Sequence, residues 1–136
     1  MSKEGGASVG SRKLSNASGW ILSGVLAAAF LAAGGAKLAG APPMVAIFDQ
    51  IGIGQWFRFV TATVEIIGAV LLLWPAQRVY GALVLACTMV GAVFTHVFVI
   101  GGNWAPAAIL LGLLLVVLAM NRSRLAPDRS SSGQRA

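Results

Sequence analysis

Five side chains set the chemistry open to this sequence. Lys37, Arg58, Glu65 and His96 fall within or at the edge of apolar stretches, and Asp49 falls between two of them. An ionisable group in lipid costs about 2.5–3.5 kcal/mol on insertion scales, so such groups face a bundle interior and a partner. A carboxylate, an ammonium and an imidazole brought together could bind a small polar headgroup or relay protons. The competing reading is structural: Glu65 and Lys37 as an interhelical clamp, Arg58 snorkelling to the headgroups, His96 hydrogen-bonded at the interface, and Asp49 simply solvated.

Other chemistries lack their residues. There is one histidine and one cysteine. Cys87 lies nine residues before His96, about 180° around a shared helix, so the two cannot hold one ion. Cys87 reads as small packing volume. A single cysteine also excludes an intrachain disulfide and a CxxC redox pair. No nucleophile–base pair or nucleotide loop is present. The expectation is no self-contained catalytic constellation, no metal and no resident cofactor.

Whether the polar residues can meet depends on the elements that carry them. Of the 136 residues, 57% are hydrophobic and only 10% charged, against about 25% charged in a typical soluble domain. A chain this short has too much surface to hide that much apolar side chain from water. The solvent for most of it is lipid. The net charge of +6 gathers mainly at the two ends, which suits contact with anionic lipid and gives no nucleic-acid footprint.

Four apolar stretches, at roughly 20–38, 57–74, 80–100 and 105–120, match the range of about 17–25 residues for a membrane-crossing helix, the last slightly short. Trp20, Trp56, Trp74, Trp104 and Tyr80 are all the Trp and Tyr of the chain. Each lies at an end of a stretch, where amphipathic rings collect at headgroup level. Residues 1–18 and 121–136 are polar and basic and read as disordered tails around a domain at 19–120. Lys13 before a long apolar run also resembles a signal peptide, but the run exceeds a usual h-region and Trp20 anchors its start.

With four spans, Lys3, Arg12, Lys13, Arg78, Arg122, Arg124, Arg129 and Arg135 share one side, and only Lys37 and Arg58 lie on the other. The positive-inside rule then places both termini in the cytoplasm. Between the first two spans, Met44, Ile47, Phe48 and Ile51 fall at i, i+3, i+4 and i+7, after Pro42–Pro43 and before Gly52. This predicts a short helix, interfacial or re-entrant, that does not cross.

At 1.5 Å rise per residue, Lys37 stands about 25 Å above the inner aromatic belt, Arg58 and His96 about 24 Å, and Glu65 about 13 Å. Arg58 and Glu65 differ by only about 20° around their helix, with Thr61 between them. The expectation is a polar pocket of Lys37, Arg58, Thr61, Glu65 and His96. It would open to the outer side and be closed below by Leu71–Leu73.

The order of these features resembles the DoxX-like family of small four-helix membrane proteins. The residues that carry the likeness are Gly34-Gly35-Ala36-Lys37-Leu38, the Phe48-to-Gly52 segment, Thr63-Val64-Glu65-Ile66-Ile67-Gly68-Ala69 with Leu71-Leu72-Leu73-Trp74-Pro75, and Ala86-Cys87-Thr88-Met89-Val90-Gly91-Ala92 followed by His96. The resemblance implies an all-α four-helix bundle in the bacterial inner membrane. It also implies kinship with subunits of thiosulfate–quinone oxidoreductases and of redox-defence assemblies. Two functions follow as expectations. One is a membrane subunit or anchor serving a redox partner protein. The alternative is a site for a quinone-like or other small apolar ligand, or a proton relay, using Glu65, Lys37 and His96.

Overall fold

Backbone amides in lipid have no water to bond, so an apolar chain satisfies them internally as helix. The computed structural model describes residues 3–122, with side chains from residue 16. It contains helices α1 (Lys3–Ala39), α2 (Pro42–Ile51), α3 (Trp56–Leu73), α4 (Arg78–Phe94) and α5 (Ala105–Met120), and α4 runs on into a π-helical turn at Thr95–Val99. No strand occurs among the described residues. Prolines stand in the first turns of α2 and α5, where a missing N–H costs nothing.

Three segments are long and apolar enough to cross a membrane: Asn16–Ala39, Trp56–Leu73 and Arg78–Val99. The fourth, α5, has 16 residues and so spans about 24 Å. The composition of residues 1–18 predicts a disordered tail, yet the helix begins at Lys3. Once the apolar residues have nucleated a helix, each further residue adds a hydrogen bond without a new nucleation cost. For the C-terminal tail, residues 123–136 lie outside the described residues.

The bundle closes on itself: α1 packs on α3, α3 on α4, α4 on α5, and α5 returns to α1. Leu26, Phe30, Leu72, Leu85 and Leu114 fill its centre. Outside, Ile21, Val25, Ile67, Val70, Val90 and Leu115 are exposed, an apolar coat suited to lipid and unsuited to water. The four tryptophans and Tyr80 are exposed, and all but Trp20, which lies midway along α1, stand at helix ends.

Two glycine contacts bring the helices close. A Cβ on Gly81 would lie 2.7 Å from the Gly68 carbonyl oxygen, and one on Gly68 would lie 2.6 Å from Leu85 Cγ. Small residues of this kind let helix backbones approach in membranes. On the other face of α3, a Cβ on Gly34 would lie 2.7 Å from Ile66 Cγ1 and 3.2 Å from the Ala62 carbonyl oxygen. That contact is one turn from Lys37 and sets how near α1 comes to α3.

Two buried arginines serve helix C-termini, whose last carbonyls lack intrahelical partners. Arg58, at the start of α3, donates from Nη1 to the Lys37 carbonyl oxygen in the last turn of α1. Arg78, at the start of α4, donates from Nε to the Leu72 carbonyl oxygen at 3.1 Å, with its guanidinium 4.7 Å from the Trp20 ring centre. Arg58 therefore does not snorkel to the headgroups. It is 7% exposed, because the Lys37 carbonyl, which also accepts from the Gly40 N–H at 3.3 Å, lies within its reach at the end of α1.

Candidate functional site

The described residues contain one salt bridge, and it joins two residues whose heights differ by about 12 Å along the helices, a gap the long Lys37 side chain closes by bending inward to Glu65. Lys37 Nζ donates to Glu65 Oε2 at 2.9 Å and to Oε1 at 3.1 Å. The carboxylate side chain is 4% exposed and the lysine side chain 14%. Glu65 sits one and two turns along α3 from Thr61 and Arg58. Lys37 is thus engaged twice by the same helix face, through its ammonium by Glu65 and through its carbonyl by Arg58. The Arg58 Nε also donates to Gln55 Oε1 at 2.7 Å, and its guanidinium lies 4.5 Å from the Phe59 ring centre. Thr61 spends its hydroxyl on the Arg58 carbonyl oxygen at 3.0 Å.

Beside this cluster the bundle holds a cavity of about 750 Å³, within the range of about 300–1,000 Å³ common for small-molecule sites. Lys37 and Thr61 form part of one wall, and His96 and Thr95 belong to another. Glu65 and Arg58 do not line it. They stand behind Lys37 and hold it in place. The lower wall is Phe30 and Met89, while Ala107 and Leu110 line the cavity from the outer half of α5. The expected floor, Leu71–Leu73, is not reached, because Met89 and Phe30, both buried, fill the bundle higher up.

The outer side is covered by α2. Met44, Ile47, Phe48 and Ile51 all line the cavity, so the predicted apolar stripe faces the bundle. Phe48 meets Phe57 edge-on at 5.9 Å. The helix is set between two glycines in the left-handed region, Gly40 (φ 72°) and Gly52 (φ 84°). At each of these the chain turns in a way a Cβ would oppose.

His96 comes to the cavity by a route that a uniform helix does not provide. It lies in the π-helical turn, where the Ile100 N–H bonds the Thr95 carbonyl oxygen at 3.0 Å and the Gly102 N–H bonds the His96 carbonyl oxygen at 3.0 Å. Such turns recur at functional sites. Its Nδ1 is buried without a hydrogen-bond partner among the described residues. Gly102 lies against it, so close that a Cβ there would be 2.8 Å from Nδ1. No hydrogen bond joins His96 to Lys37 or Glu65 among the described residues. The imidazole and the ion pair thus belong to one site only through the cavity both border.

Sequence reading misses Gln55. Its Nε2 donates to Asp49 Oδ1 at 2.6 Å and to the Val45 carbonyl oxygen at 3.1 Å, while its Oε1 accepts from Arg58. It ties α2 to α3, and Asp49 is engaged although exposed. The one signal was a polar residue directly before the span at Trp56. Cys87 is also misread as packing volume. It is exposed and lies on the cavity wall.

A ring of apolar helices around a buried ion pair and a largely apolar cavity defines a multi-pass helical membrane protein. The family model of the DoxX-like family matches residues 21–120, and the chain belongs to that family. The match runs from Ile21 within α1 to Met120 at the end of α5, and takes in α2 and the loop at Gly102. No curated protein and no solved structure matches the chain. No group of three or more His, Cys, Asp or Glu that could hold a metal ion occurs among the described residues.

Proposed function

We propose that the protein binds a small amphipathic molecule with a quinone-like headgroup in the outer half of the bundle. The observation that carries this reading is the cavity itself, with Lys37 on one wall and His96 on another. Two of the three Lys37 N–H donors are used by Glu65, and a third remains for a ligand oxygen. The imidazole can donate to a quinone oxygen or accept from a quinol hydroxyl, according to its tautomer. Glu65 orients the Lys37 ammonium without entering the cavity. Resemblance to quinone-linked relatives supports the same ligand class.

A second reading is a membrane subunit of a redox-associated assembly, docked through its basic ends. The direct Lys37–Glu65 bridge favours it, since a bridge alone fixes packing without chemistry. Under either reading the location is the bacterial inner membrane with both termini in the cytoplasm, supported by the Lys/Arg asymmetry of the chain.

Purification in mild detergent, with mass spectrometry of partner proteins and of bound small molecules, tests both. Retained quinone that is lost in His96→Ala and in Gly102→Ala supports the ligand site, because an alanine at 102 must push the imidazole aside. Quinone content at background in the wild-type protein refutes the ligand reading. A stoichiometric partner protein, lost when the basic ends are neutralised, supports the subunit.

A further inference from the structure

We infer that the cavity is reached sideways from the hydrocarbon, between α3 and α4, and that its occupant carries an apolar tail lying in that gap. This rests on the reading of the cavity as a ligand site.

The geometry begins at the glycine contact. At Gly68 and Gly81 the two helices touch through backbone, which closes the inner half of the bundle. Farther out, the facing residues are Val60 and Val64 on α3 and Cys87, Thr88 and Gly91 on α4, and all of them line the cavity. Three of these five are at once wall and outer surface: Val60, Cys87 and Gly91 are exposed. A Cβ on Gly91 would meet nothing within 4 Å. A residue that borders a cavity and is also exposed marks a place where that cavity opens; Gln50, Gly102, Asn103 and Pro106 mark a second mouth at the outer interface, where the polar head would sit.

Depth decides what lies outside the opening. Tyr80 stands at the inner belt, so Cys87 is about 10 Å and Gly91 about 17 Å above it. A hydrocarbon core is about 30 Å thick. Both positions are therefore at hydrocarbon depth, and the opening faces acyl chains. At the outer end the cavity meets polar groups instead, Lys37, His96, Gln50 and Asn103. Polarity along the cavity thus runs from polar at the outer interface to apolar at mid-bilayer. An amphiphile fits that gradient in one direction only, head outward between Lys37 and His96, tail inward and out past Cys87.

The chain has one cysteine, so thiol chemistry reads this opening alone. The full-length protein is placed in phosphatidylcholine nanodiscs. Two fully substituted benzoquinones serve as probes, decylubiquinone with a ten-carbon tail and duroquinone with none. Decylubiquinone is expected to slow alkylation of Cys87 by N-phenylmaleimide at least tenfold, and duroquinone less than twofold. Cys87→Trp, at an exposed position, narrows the gap and is expected to slow decylubiquinone association at least tenfold. Cys87→Ser leaves that rate unchanged, and size-exclusion chromatography checks that both variants fold.

Binding of both probes at equal strength, with Cys87 unprotected and association unchanged in Cys87→Trp, overturns the lateral opening and leaves the ligand site standing. Binding of neither probe overturns both. A phospholipid retained one per chain that decylubiquinone does not displace makes the occupant structural lipid and also overturns the inference.

Discussion

Glu65 holds the Lys37 ammonium in a fork, with Nζ 2.9 Å from one carboxylate oxygen and 3.1 Å from the other, across α1 and α3. Both ends of Lys37 answer to α3, since Arg58, two turns before Glu65 on the same face, takes its carbonyl oxygen. A single lysine in the last turn of α1 thereby fixes the rotation and height of that helix. The ammonium is presented to the cavity from a support that is itself buried.

Removing one partner leaves a charge in the bundle without its counter-charge. In soluble interiors this costs about 3–5 kcal/mol, and in membranes less, because separated helices also find polar partners. Glu65→Gln is expected to lower thermal stability in detergent, and the double variant Glu65→Gln with Lys37→Met to recover much of the loss. Ligand retention does not return in the double variant. Additive losses in a full double-variant cycle would show that the pair contributes no coupling.

Gly34 sets the distance over which this pair forms. Valine at 34 would force Ile66 and the Ala62 carbonyl aside, an overpacking that costs about 1–3 kcal/mol. The expected outcome of Gly34→Val is a lower melting temperature together with loss of coupling between Lys37 and Glu65. Retained coupling in the cycle repeated on the Gly34→Val background would count against the glycine as the spacer.

Gln55 is the main polar tie between α2 and the bundle. Gln55→Ala removes two bonds to α2 and one from Arg58, each worth about 0.5–1.5 kcal/mol net. Amide exchange over residues 42–51 is expected to quicken, with α3 and α4 unchanged beyond their first turn. Equal exchange in variant and wild type would mean that Phe48 packing alone holds α2 in place.

Topology is tested by reporter fusion. Alkaline phosphatase joined after Arg124 is expected to be inactive, and a fusion at Gln50 active, because eight of the ten Lys and Arg lie on the side of the termini. An active fusion after Arg124 would reverse the orientation and place the cavity on the cytoplasmic side.

The bundle was legible in the sequence because lipid imposes simple rules: length of apolar run, aromatic belts, charge asymmetry. The same rules give heights, and it takes the length of the Lys37 stem, bent inward, to bring its ammonium down to Glu65. Rotation was less secure. The π-helical turn at Thr95–Val99 is invisible to a reading at constant pitch, and so was the way it turns His96 toward the cavity beside Gly102. The stripe on α2 was evident, but periodicity states only that one face is apolar. Whether that face meets lipid or the bundle depends on which helices stand beneath it.

Composition and spacing by themselves determined the solvent, the number of long apolar helices and the approximate depth of each charge, since these depend on residues near in sequence. Tertiary structure decided the rest. It decided that Arg58 turns inward to the end of α1, that Glu65 stands behind the cavity wall while Lys37 forms it, and that Cys87 lies at an opening. Each of these is set by how closely two helices approach, and that distance is fixed by Gly34 against Ala62 and by Gly68 against Gly81, pairs far apart in the chain whose fit no local pattern reports.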